Sequence, residues 1–122
     1  MKRSLKMLLL SAAILVMAMT IQTKDVKAAP AVKYIDADGV EQECENYTVV
    51  DGSTDKFETG KWYVVNSTVS VSSTITVSET AYLVLCDGAS LTVTGVQNKA
   101  GINVGPGASL LIYGQSGGSG IL

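Results

Sequence analysis

The chain has 122 residues, nine basic and eleven acidic, no histidine and two cysteines, and a formal net charge of −2. That length bounds the chain to one domain at most. Without histidine, Ser-His-Asp and Cys-His nucleophilic arrangements and histidine-held zinc are excluded within the chain, and two cysteines are too few for a structural zinc site.

Residues 1–28 read as a secretory signal peptide. "MKRSLK" supplies Lys2, Arg3 and Lys6, and Met7 to Ile21 is an uncharged run, apolar but for Ser11 and Thr20. Val26 and Ala28 then occupy the minus-three and minus-one positions of an A-x-A-like cleavage site. The run is shorter than the span of about 20 residues that a bilayer requires. The expected mature chain therefore begins at Ala29 and carries no membrane anchor. It keeps four lysines and no arginine against ten acids, a net charge of −6. Such a surface offers nothing to phosphates, so nucleic acid is excluded as a partner. The sign suits solubility outside the cell and loose cation binding.

Residues 29–60 read as a hairpin and cap region. In "AVKYIDADGVEQECENYTVV" two short strands flank "DADG", whose Asp and Gly residues tolerate a tight reversal. Asp36, Asp38, Glu41 and Glu43, with Glu45 beyond them, are hard oxygen ligands suited to Ca²⁺. The spacing is not that of an EF-hand, and a turn followed by a solvated strand face accounts for the same residues. No other cofactor is indicated. Cys44 and Cys86 leave two alternatives open: a disulfide, permitted in an exported chain, or two small apolar side chains in the interior.

From residue 61 the texture changes. "WYVV", "STVSV", "STITV", "AYLVL", "SLTVT", "GINV" and "SLLIY" are brief runs of residues that suit a pleated sheet, punctuated by Gly, Asn, Ser or Asp. "DGASLTVTG" from Asp87 and "PGASLLIYG" from Pro106 match at an offset of nineteen residues, and "GIN" from Gly101 falls on "GIL" from Gly120. A period near twenty with short strands and fixed glycines predicts a β-solenoid. On that period Leu91 stacks on Leu110, Val93 on Ile112 and Ser90 on Ser109, while Gly88, Gly107, Gly95 and Gly114 take corners at positive φ. The predicted fold is all-β: a right-handed parallel β-helix of about three short coils over residues 61–122. A hairpin cap precedes it, and the last coil reads as incomplete. Further domains of a longer chain are expected.

The stretch "GKWYVVNSTVSVSSTITVSETAYLVLCDGASLTVTG", followed by "GINVGPGASLLIYGQSGGSG", resembles the N-terminal β-helix segments of large secreted surface proteins of Gram-positive, largely gut-dwelling bacteria. The likeness covers residues 32–122 and places the chain beside pectin-lyase-like and carbohydrate-binding β-helices. It implies a secreted or cell-surface location and brings no catalytic motif with it.

Enzymes of that fold generally use a basic residue with calcium held by several carboxylates. Here the coil region has only Lys61, Lys99, Glu79 and Asp87, thin provision for a lyase. Trp62, Tyr63, Tyr82 and Tyr113 are the candidate sugar-binding rings, because aromatic faces join apolar area to a polar edge. Trp62 and Tyr63 are adjacent in one strand and so point to opposite faces. The expected function is adhesion or display by a non-catalytic module with weak binding to polysaccharide or cell-wall glycan. The alternatives are the N-terminal part of a polysaccharide lyase or glycoside hydrolase, and a structural spacer.

Overall fold

The computed structural model describes residues 30–122, so the segment read as a signal peptide lies outside the described residues. The described chain contains strands and turns and no helix. Residues 31–122 form one compact unit.

Strands β1 (Val32–Ile35) and β2 (Glu41–Cys44) form an antiparallel hairpin. The nine strands that follow are β3 (Thr48–Val49), β4 (Lys56–Phe57), β5 (Trp62–Val65), β6 (Thr68–Val71), β7 (Ile75–Val77), β8 (Thr80–Leu85), β9 (Ser90–Val93), β10 (Ile102–Val104) and β11 (Ser109–Tyr113). All nine pair in parallel. They fall into three sheets, ordered β11-β8-β5-β3, β10-β7-β4 and β6-β9. From β5 onward the chain visits these sheets in strict rotation, β5-β6-β7, then β8-β9-β10, then β11 and a bridge from Ile121 to Ser90. This arrangement is compatible with a β-solenoid.

Alternation along the strands supplies the interior. Tyr63 and Val65, Val69 and Val71, Ile75 and Val77, and Ala81, Leu83 and Leu85 turn inward into one cluster with Val50, Phe57, Ala89 and Leu91. Among the described residues no polar or charged side chain is buried. β-branched residues dominate because each slot repeats the same narrow space between three sheets. Val104 of β10 and Ile112 of β11 are exposed, whereas Val50 and Phe57, early in the chain, are buried.

The nineteen-residue offset is not the coil repeat. Leu91 lies beside Val69 and Leu110 beside Ala81, in different sheets; Val93 pairs with Val71 and Ile112 with Leu83. Stacked partners are 15 residues apart for Thr48 and Tyr63, 20 for Trp62 and Tyr82, 22 for Val69 and Leu91, and 29 for Leu83 and Ile112. The offset grows because later connections lengthen, notably 94–101 and 114–120.

What repeats is a corner and the strand it launches. Ala89 N–H donates to Cys86 O and Ala108 N–H to Gly105 O, each at 3.0 Å. Gly88 and Gly107 hold φ +78° and +75° at the same place in these turns, where a side chain is strained. One such corner leads into β9 and the other into β11, on different sheets. Gly95 has positive φ, as the sequence suggests, but Gly114 does not.

The longer connections are held at their necks by the preceding coil. Thr74 Oγ1 donates to Ala100 O at 2.9 Å and accepts the Val96 N–H at 3.3 Å. Asp87 accepts the Gly117 and Ser119 N–H groups at 2.9 and 3.2 Å, and the Gln115 side-chain Oε1 accepts the Asp87 N–H at 2.7 Å.

Candidate functional site

Inward-facing side chains of the four-stranded sheet fill the core, and the alternate residues line its outer face. There the ladder pairs Trp62 with Tyr82 and Tyr82 with Leu111; the next row holds Val49, Val64, Val84 and Tyr113. In-register parallel strands lie about 4.8 Å apart, so rings at paired positions must stack. The Trp62 and Tyr82 centroids are 4.6 Å apart at 12°, and Tyr113 lies 5.6 Å from Trp62 at 17°.

A fourth ring, Tyr34 of β1, completes the group, 4.9 Å from Trp62 and 5.0 Å from Tyr113. The sequence reading missed Tyr34. Its strand is legible, but the docking of the hairpin is not. The hairpin reaches this face through two bonds to the last coil: Ile35 N–H to Gly114 O and Gln115 Nε2 to Lys33 O, each 2.9 Å. Val64 and Val84, which face outward from the core cluster, are fully buried, and Cys44 of β2 is buried too. The four rings are each half-buried. They serve as a clasp between the hairpin and the parallel strands and remain part-exposed.

Tyr63 is not part of this face, which corrects its place among the candidate sugar-binding rings. As the neighbour of Trp62 in an extended strand, it points into the core, is buried and lies 4.4 Å from Phe57. Its hydroxyl accepts the Glu58 N–H at 2.7 Å, so its polar edge is satisfied inside.

The acidic residues of the hairpin do not converge. Among the described residues no three carboxylate or thiol groups come together as a metal site. Asp36 Oδ1 accepts the Asp38 and Val40 N–H groups and Oδ2 accepts from Gln42 Nε2, all at 2.9 Å. This carboxylate closes the turn. Glu41 faces Lys33 at 3.1 Å, an exposed pair of little energetic weight. The bonds from Val40, then Gln42 and Asp38, hold the Asp36 carboxyl below the usual carboxylate range. Because its folded value is depressed, its contribution to the turn is present above the ordinary carboxylate pKa and is lost as pH falls through the folded value. Carbon-13 titration should therefore place Asp36 below an unstructured aspartate; an ordinary value would show that these bonds do not persist in solution.

Cys44 and Cys86 are not joined; both are free thiols, a correction to the disulfide alternative. Cys44 lies in the hairpin, with Sγ donating weakly to Asn46 O at 3.7 Å. Cys86 packs against the core cluster at a corner. Burial pushes both thiols up, and Asp87 adds to the rise at Cys86, so neither is poised for reaction. A thiol assay in denaturant without reductant should count two free groups, and reductant should leave the melting temperature unchanged. A count of zero would contradict this arrangement.

Asp87 engages both carboxylate oxygens in holding the 117–119 loop. Comparison with protein-family models, curated proteins and solved structures finds no match for this chain.

Proposed function

We propose that this chain is a non-catalytic β-helix module of a secreted or cell-surface protein, serving adhesion or display with weak polysaccharide contact. The helix is taken as right-handed, because crossovers between parallel strands of one sheet are right-handed in nearly all proteins. The observation that carries the reading is the aromatic cluster of Trp62 with Tyr82, Tyr113 and Tyr34, fixed on the outside of a parallel sheet. Rings locked in this way lose little further conformational freedom on meeting a sugar, and each stays half-exposed. The net charge of −6 over residues 29–122 favours neutral or basic polymers over acidic ones.

Affinity electrophoresis of the protein in gels containing soluble polysaccharides tests this reading. Retardation by at least one neutral or basic polymer is expected, weakened by Trp62→Leu, with no new reducing ends in the polymer. Equal mobility in every gel would count against polysaccharide contact, and turnover would revive the enzyme alternative.

A further inference from the structure

We infer that β11 is an association edge whose occupant is β11 of a second copy of this chain, paired antiparallel about a twofold axis. Two four-stranded sheets would then run on as one. β11 closes its sheet with β8 on one side and no strand on the other. Among the described edge strands it is the longest, five residues with no charge and no proline, in unbroken register with β8. Charges, prolines and bulges are the devices that usually guard an open edge, and this edge has none of them. Its Leu111 and Ile112 are exposed apolar side chains.

The backbone of β11 is self-complementary. Ser109 N–H donates to Glu79 O at 3.2 Å, so the odd residues of β11 bond to β8. The alternate residues, Leu110 and Ile112, turn both N–H and C=O to the open side. With Leu111 on the twofold axis, Leu110 falls opposite Ile112 of the second copy, and Ile112 opposite its Leu110. Each such pair exchanges both of its bonds in an antiparallel ladder. Every outward backbone group of these two residues is then satisfied, and the same patch serves both copies.

Two further observations favour a second copy as the occupant. The hairpin turn at 35–37 and residues 111–114 enclose a cleft of about 380 Å³ along this edge. It offers a seat to the Leu111 side chain of the incoming strand. Asp36, the one acid lining it, spends its carboxylate on the hairpin turn. Charge points the same way. All ten acids of residues 29–122 lie at or before Asp87, and residues 100–122 carry no charged side chain. Two acidic copies therefore meet with least repulsion through this part of the chain.

Sedimentation velocity of the protein over a dilution series tests this. A monomer–dimer equilibrium with Kd on the order of 100 µM is expected, because the interface is small. Leu111→Lys and Leu111→Glu each set like charges opposite one another on the axis and should weaken the dimer at least about fivefold. An equimolar mixture of the two variants should recover the dimer, since opposite charges then meet; misfolded variants would not do so. A monomer at every concentration up to about 1 mM would overturn the proposal. Dimers undiminished in both variants, or variants that stay monomeric when mixed, would overturn the pairing through β11. Open-ended oligomers would overturn the twofold arrangement in favour of head-to-tail contact.

Discussion

Leu83→Ala is expected to destabilise the protein by about 3 kcal/mol, read as a fall in the urea midpoint at constant slope. Leu83 is completely buried at the centre of the four-stranded sheet, laddered to Tyr63 on one side and Ile112 on the other. Its methyl groups fill a slot that successive coils share, so truncation removes apolar burial and leaves a cavity that three sheets cannot collapse around. Since a domain of this size has a total stability of about 5–15 kcal/mol, such a loss is a large fraction of it. Ile112 occupies the same slot one coil later but is 45% exposed. Ile112→Ala should therefore cost only about 1 kcal/mol. Equal losses at the two positions would mean that Ile112 is as buried as Leu83, against the exposure seen here.

Trp62→Ala should cost a comparable amount, about 3 kcal/mol, by a different route. Trp62 touches Tyr82, Tyr113 and Tyr34 and so joins three strands, β5, β8 and β11, to the hairpin through one ring system. A two-stranded hairpin is marginal on its own, and this one depends on that contact and on its two bonds to the last coil. Amide exchange should separate the effects. The Ile35 N–H, bonded to Gly114 O, should lose protection beyond the global change, while amides of β8 follow global stability alone. A loss under about 1 kcal/mol with Ile35 still protected would show that the rings do not fasten the hairpin, and would favour a binding role alone for Trp62.

Parallel strand character was legible in the sequence because Val, Ile and Thr recur in short runs between turn residues, and the hairpin because "DADG" separates two such runs. Repetition itself was also visible, yet its meaning was misread. "DGAS" and "PGAS" encode a corner, and the chain turns a corner at more than one passage from sheet to sheet, so a local motif recurs at an interval shorter than the offset between paired strands. Connection length decides the true offset, and connections such as 94–101 lack the periodic residues by which their length could be assigned to a coil. The aromatic site was half legible for a related reason. That Trp62 and Tyr63 must part follows from strand geometry, and the stacking of Trp62 on Tyr82 follows once the offset of 20 is known. Tyr34 could not be placed, because its position depends on two long-range bonds that no sequence pattern announces.

Ring and interstrand nuclear Overhauser contacts measured on the labelled protein test the central claim most directly, namely that parallel coils stack in this register and bring the rings to one face. The register predicts contacts between Leu91 and Val69, between Leu110 and Ala81, and between the Trp62 and Tyr82 rings. Contacts joining Leu91 to Leu110, with none between Trp62 and Tyr82, would contradict both the coil register and the site built on it.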